Sequence, residues 1–565
     1  MKRFLLVLLA VTAISLPVAA TSPHSGGANQ LNLVEATVPQ LQQALRTHLI
    51  TSEQLVQMYL DRIAAYNQAG PHLNAFILVN PDALAVARER DEARRRGLAH
   101  GPLFGIPVLL KDNVDTKDMP TTAGSVALAG SIPPHDAFIA RKLRAAGAII
   151  LGKATLTEFA NFLTVGMPAG YSSLGGFGFN PYDPRPQPGG DGRPVLSPGG
   201  SSSGPGIAVS ANLVTVAVGT ETSGSILSPA SQDGDVGIKP TVGLVSRDGI
   251  VPITEDQDTA GPLARTVTDA AILLGTLAGY DPGDPATTAC LTPGNCFHDY
   301  TRFLDKHALR GARIAVPHDP FWNSLTPDQQ QIMNHAIAVL RAHGAYVADP
   351  YEIPTEPALS HFGICTAYPA PSDCSTVLLY GFKRDLDTYL LSLGPAAPVH
   401  SLTDIINYNN AHTAVALKYG QVLALAADQM DPSAGSPDTT RYLSDRAQDL
   451  ALARGGLDLV YAGPDGIPGT ADDFDAILFP SNRGADIAAR AGYPSVEVVG
   501  GFVPPSGQVI NPSPFGVTFS GPAFSEPELI GLAYAFEQAT HARVPPASTP
   551  PLPTDIVRRG HPSHH

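Results

Sequence analysis

The sequence predicts an α/β fold in which a mixed, largely buried central sheet is covered by helices on both faces. Three observations carry this. Short apolar runs of strand length recur along the chain, and stretches with helical spacing lie between them. Alternation of that kind builds a sheet enclosed by helices. The 565 residues are 44% hydrophobic and only 15% charged, ample for a large core and far from a disordered composition. No repeat and no low-complexity linker divides the chain. The expectation is therefore one domain over 21–545, with insertions near 182–198 and 461–475 and a disordered tail over 546–565.

The elements follow in order. Residues 1–20 read as a signal peptide: Lys2 and Arg3, then an apolar run to Pro17, then small residues at Val18, Ala19 and Ala20. Thr37 and Thr51 each precede Gln by three residues, which is a capping-box signature ahead of a helix. Asn80-Pro81 marks the start of a third helix, rich in Ala, Arg and Glu. GIPVLL at 105–110 is a strand ending at Lys111. Further buried strands are expected at 148–151, 214–218, 313–316, 476–479, 496–499 and 515–519. Helical spacing appears at 137–146, 327–343 and 526–540.

The 182–198 insertion is dense in Pro, Gly and Asp. The second carries Asp465, Asp472, Asp473 and Asp475, a set of hard oxygens that a calcium ion would accept, although it lacks EF-hand spacing and reads first as a solvated turn. Four cysteines, Cys290, Cys296, Cys365 and Cys374, form an even set behind an export signal. That favours disulfides, with local loops 290–296 and 365–374 the simplest of three pairings. An exported, periplasmic or secreted protein is expected, with no membrane association once the leader is removed.

The formal net charge is −15, and loss of Lys2 and Arg3 makes it two units more negative. Phosphate contacts need clustered Lys and Arg, so nucleic acid is excluded as a partner. No motif supplies metal ligands or a cofactor cradle, so neither is expected. The sequence sets no oligomeric state.

Chemistry concentrates at 199–231, GGSSSGPGIAVSANLVTVAVGTETSGSILSPAS. Serine is the abundant nucleophile type, and it needs a base to take its proton. Glycines beside it let backbone N–H groups approach a substrate oxygen. Two Gly/Ser turns separated by a helix-strand unit can face each other at one end of the sheet.

These residues resemble the amidase-signature family. The matching segments are GGSSSG at 199–204, GTETSGSI at 219–226 and GIPVLLKDN at 105–113, followed by TTAGS at 121–125. The likeness continues through AGAIILGKATLTEFA, KPTVGLVSRDGIVPI, DTAGPLART, AGYPSVEVVGG and FSEPELIGLAYAFEQAT. It implies the amidase-signature fold and a Ser–cis-Ser–Lys triad that hydrolyses amides. Ser225 matches the nucleophile, Ser201 the cis-serine and Lys111 the lysine. The Thr222-Ser223-Gly224-Ser225 turn matches the backbone oxyanion hole. Two positions depart from the family pattern: Ser223 stands where Gly is usual, and Leu227 where Arg is usual. Within the family the pattern is most similar to bacterial peptide amidases, which release ammonia from C-terminally amidated peptides. The implied partner is a small-molecule or peptide amide.

Two other readings stay open at this level. GSSSG at 200–204 formally fits the G-x-S-x-G elbow of α/β-hydrolase esterases, with Ser202 as nucleophile, but a Pro/Gly-rich stretch precedes it where a strand is required. A non-catalytic binding protein on the amidase scaffold is the other.

Overall fold

The run GIPVLL is apolar at every position because its strand has a neighbour on each side and a packed layer on each face. In the computed structural model, which describes residues 30–559, Pro107–Lys111 is buried throughout. The expected leader and residues 560–565 lie outside the described residues.

Eleven strands form the central sheet. In chain order they are β1 (Phe76–Val79), β2 (Pro107–Lys111), β3 (Ile149–Ala154), β4 (Val216–Glu221), β5 (Val236–Lys239) and β6 (Thr259–Ala264), followed by β7 (Arg313–Ala315), β8 (Tyr346–Ala348), β9 (Ala476–Pro480), β10 (Ser495–Val503) and β11 (Ser513–Ser520). Their spatial order is β8-β7-β9-β11-β10-β5-β6-β4-β2-β3-β1. β2 runs parallel to both β3 and β4, while β4–β6, β5–β6 and β10–β11 are antiparallel, so the sheet is mixed as expected. Four strands escape sequence reading. β5 (VGIK) and β6 (TAGPLA) are diluted by Gly and Pro, and β1 and β8 are very short. Partners in the sheet make them strands, not propensity.

Helices flank the sheet. The first eight are α1 (Val38–Arg46), α2 (Ser52–Tyr66), α3 (Ala83–Arg95), α4 (Phe138–Ala145), α5 (Ser203–Ser210), α6 (Leu227–Asp233), α7 (Val267–Leu277) and α8 (Pro327–Ala342). Both expected capping boxes form, with Thr37 accepting from Gln40 N and Thr51 from Gln54 N. Asn80 acts one step earlier than expected. Its Oδ1 accepts from Asp82 N at 2.9 Å, and α3 begins at Ala83.

The segment after β8 is more helical than the sequence suggests: α9 (Glu356–His361), α10 (Val377–Ser392), α11 (Leu402–Ala411), α12 (Thr413–Ala416), α13 (Val422–Asp428), α14 (Pro437–Asp449) and α15 (Gly455–Tyr461). Two more helices, α16 (Ala485–Ala491) and α17 (Glu526–Thr540), follow β9 and β11. Helices α10, α11, α13 and α14 enclose an apolar cluster of their own. It packs on Phe159, Phe162, Leu163, Met167, Val251 and Ile253, next to the Gly/Ser turns.

The tail departs from expectation. Residues 546–559 are held in place instead of disordered. Ile556–Arg558 pairs antiparallel with Gln30–Asn32. Buried Arg62 binds Asp555 Oδ2 at 2.6 Å and donates to the carbonyls of Thr549 and Pro550. A Pro-rich stretch has no periodicity to read, so only the partner reveals its order.

Cys290 pairs with Cys296 and Cys365 with Cys374, each with Cα atoms 5.0 Å apart. In the acidic loop the carboxylates turn onto the loop's own amides. Asp465 accepts from Ile467 N at 2.8 Å and Asp473 from Gly469 N at 2.7 Å, while Asp475 holds Arg313 N at 2.7 Å. Among the described residues, no three His, Cys, Asp or Glu side chains gather as a metal would require. The 182–198 loop is tied down as well, through Asp191, which accepts from Lys418 Nζ and the Tyr419 hydroxyl.

Candidate active site

Lys111 is the last residue of β2, and its side chain is fully buried. Nζ lies 2.8 Å from Ser201 Oγ, 2.8 Å from Thr220 Oγ1 and 3.2 Å from the Thr220 carbonyl. Asn113 Nδ2 donates to the same Thr220 hydroxyl at 2.9 Å. Among the described residues no carboxylate comes within ion-pair distance of this amine. Asp112, next in sequence, pairs instead with Lys153 of β3 at 3.1 Å. Burial without a contact counter-ion disfavours the ammonium, and it outweighs the more distant pull of Asp258 and Glu221. The Lys111 pKa falls to about 7. The ammonium can donate to all three oxygens, whereas a neutral amine has two protons to donate and one lone pair with which to accept from the Ser201 hydroxyl.

Ser201 is fully buried at the Gly200–Ser201 peptide, which is cis. Its carbonyl accepts from Thr157 N at 3.1 Å. Gly199 is required just before it: φ is 69°, and a Cβ would fall 2.6 Å from Pro229 backbone atoms. The two Gly/Ser turns do meet. Ser202 N donates to the Ser225 carbonyl at 3.1 Å, bringing the strand-to-helix turn after β4 against the turn before α5.

That second turn is held from both ends. The carboxylate of buried Glu221 accepts from Ile226 N at 2.7 Å and Leu227 N at 3.0 Å, capping the start of α6. Thr222 Oγ1 donates to Asp258 Oδ1 at 2.5 Å, and Gln257 Nε2 donates to the Thr222 carbonyl at 3.2 Å. Gly224 turns the chain with φ 80°. Among the described residues, the amides of Ser223 and Ser225 donate to no acceptor, which leaves them available to an oxyanion. The Gly224 amide faces the Glu221 carboxylate and is the less free of the expected donors. Ser225 itself is buried apart from 7% of its surface.

Of the two departures, Leu227 is completely buried in the first turn of α6, and Ser223 faces a cavity. Ser202 is a different kind of residue. It is fully buried, and its hydroxyl donates to Thr220 O at 3.0 Å and accepts from Thr220 N at 3.2 Å. That leaves it no face toward a substrate.

Two cavities flank the turn. One of about 300 Å³ reaches Asn113 and Thr220–Thr222 and is lined by Ile250, Val251 and Ile253 as well as by Arg247, Asp258 and Asp385. The other, about 450 Å³, starts at Ser223 and runs between Phe321, Leu359 and Ile487.

Sequence reading missed Thr220, Glu221, Asn113 and Asp258. Thr220 and Glu221 lie inside the quoted GTETSGS run, and Asn113 is two residues after the lysine. Asp258 opens the quoted DTAGPLART segment, and membership of these segments was the only signal, since Asn113 and Thr220 meet across 107 residues of chain and Asp258 reaches back to Thr222.

Known proteins resemble this chain in sequence and fold. The family described as Amidase matches residues 54–431. A probable amidase of Arabidopsis thaliana is 39% identical over 539 residues, covering 92% of this chain and 94% of its own. Native peptide amidase from Stenotrophomonas maltophilia is 42% identical in a solved structure, with a TM-score of 0.78, covering 91% of this chain and 98% of that one. A structure of peptide amidase with the competitive inhibitor chymostatin gives 42% identity and a TM-score of 0.80, over 91% and 99% of the two chains. With its mixed eleven-stranded sheet and these relatives along nearly its full length, the chain belongs to the amidase-signature family and is an amide hydrolase.

Proposed function

We propose that this enzyme hydrolyses carboxamides through a serine acyl-enzyme and that C-terminally amidated peptides are among its substrates. The observation that carries the mechanism is the contact of a buried, carboxylate-free Lys111 amine with Ser201 Oγ. Ser225 Oγ attacks the amide carbonyl. Its proton passes to Ser201 as the Ser201 proton passes to Lys111 Nζ. The carbonyl oxygen becomes an oxyanion beside the amides of the 222–225 turn. Collapse of the tetrahedral intermediate breaks the C–N bond, and the proton held by Lys111 returns through Ser201 to the leaving nitrogen. Ammonia departs from a primary amide. Water then attacks the acyl-enzyme by the same relay and frees the acid. The peptide assignment rests on likeness to peptide amidase along most of the chain.

Ammonia release from amidated peptides, fatty amides and aryl amides tests both parts. Turnover of the other amides with none of the peptides would remove the peptide assignment. Undiminished turnover in a folded Ser225→Ala variant would remove the nucleophile. We also propose export of the protein, on the strength of its leader and cysteine pairs. Cell fractionation tests it, and a purely cytoplasmic protein would refute it.

A further inference from the structure

A primary amide leaves as ammonia, so any selectivity must come from the acyl side. Both cavities at the turn mix apolar and charged walls, so wall polarity alone does not choose between them, and the choice rests on which polar group stands uncommitted beside the catalytic turn. The cavity at Ser223 sets Phe321, Leu359 and Ile487 beside the charged Glu356, Arg483 and Asp486, with Asn482 next to the turn.

The backbone that presents Asn482 is fixed. Ser481, just before it, has φ 48°, a left-handed conformation unusual for a non-glycine residue. Every polar group of Ser481 is engaged. Its amide donates to Gly516 O at 2.9 Å, its hydroxyl donates to Ser231 Oγ of α6 at 2.8 Å, and its carbonyl accepts from Thr518 Oγ1 at 2.7 Å. Such a conformation persists only where its surroundings over-determine it, and it occurs most at functional sites. The result is to set the Asn482 amide against the catalytic turn: a Cβ on Gly224 would come within 3.2 Å of Nδ2. Asn482 Oδ1 faces the Ser481 hydroxyl at 3.2 Å, while Nδ2 donates to no acceptor among the described residues. A rigidly held, uncommitted N–H donor therefore stands at the mouth of a cavity that begins two residues before Ser225.

We propose that Asn482 is a specificity-determining residue of this amidase, donating from Nδ2 to a carbonyl of the acyl chain lodged in the cavity at Ser223. In a peptide amide the group next along the chain is another amide carbonyl, which a plain carboxamide lacks. The enzyme thereby favours acyl groups that carry a second amide. This rests on the peptide reading proposed above.

The test compares N-acetylphenylalaninamide with 3-phenylpropanamide, which lacks only the acetamido group. Asn482→Ala lowers kcat/KM about tenfold on the first and less than about twofold on the second, in line with the loss of one substrate hydrogen bond. Asn482→Asp, nearly the same size but unable to donate, reproduces the loss, and melting curves confirm that both variants fold. Equal losses on the two substrates would mean that Asn482 only supports the turn, and no loss on either would mean that it touches nothing. Either outcome overturns the proposal. If the wild-type enzyme cleaves 3-phenylpropanamide but not N-acetylphenylalaninamide, the peptide reading itself fails and this proposal falls with it.

Discussion

Lys111 Nζ and Ser201 Oγ are separated by 90 residues of chain and by 2.8 Å in space, in a fully buried site where no carboxylate among the described residues touches the amine. Lys111 serves as a base only when neutral. With its pKa at about 7, the ammonium dominates below that pH and the free amine above it. The expected kcat/KM therefore rises with pH through about 7 and levels off on the alkaline side. Lys111→Ala should cost at least about a hundredfold and abolish that limb. Lys111→Arg should not rescue, because a guanidinium stays charged. Steady-state pH profiles of the three proteins decide this, and substantial activity in the Arg variant would show that the position supplies charge and not a base.

Ser225 and Ser202 give opposite outcomes. Ser225→Ala should be folded and inactive. Ser202→Ala loses buried hydrogen bonds to Thr220, at about 1–3 kcal/mol of stability, yet the folded variant should keep most of its activity. Denaturation curves alongside turnover separate the two effects. An inactive but stable Ser202→Ala variant would revive the elbow reading.

Arg62 and Asp555 form an ion pair with both side chains buried, joining α2 to the C-terminal stretch. Asp555→Ala leaves the guanidinium buried without its counter-charge, and about 3–5 kcal/mol of stability should be lost. Urea denaturation measures it. A loss under about 1 kcal/mol would mean that the stretch is not docked in solution.

Mass spectrometry of unreduced peptides should find Cys290 linked to Cys296 and Cys365 linked to Cys374. Four free thiols in exported protein would contradict both pairings.

Chelator should leave turnover unchanged, since each chemical step is assigned to Ser225, Ser201 and Lys111. Activity lost to chelator and restored by zinc would refute that assignment. Melting that shifts with calcium alone would point to a structural ion at the 463–475 loop.

The parts of the fold legible in advance were those where local signals and burial agree. Thr37 and Thr51 carry their caps within three residues, and β2 and β3 are apolar because both faces are covered. β5 and β6 were not legible, because a strand containing Gly and Pro is specified by its neighbours in the sheet. Nor was the helical segment around α10–α14, whose apolar cluster closes against Phe159 and Val251 from distant parts of the chain.

By itself the sequence determined which residues could do chemistry: a lysine ending an apolar strand, two Gly/Ser turns around a helix-strand unit, and an even set of cysteines. Tertiary structure alone decided how they are used. Lys111 and Lys153 both sit on buried strands, yet Asp112 pairs with Lys153 and leaves Lys111 to Ser201 and Thr220. Ser201 and Ser202 are adjacent, yet one faces the lysine and the other is bound to Thr220. Charge state and reactivity depend on dielectric surroundings and on contacts a few ångströms long. Residues far apart in the chain make those contacts, so the pattern of letters names the candidates and the packing selects among them.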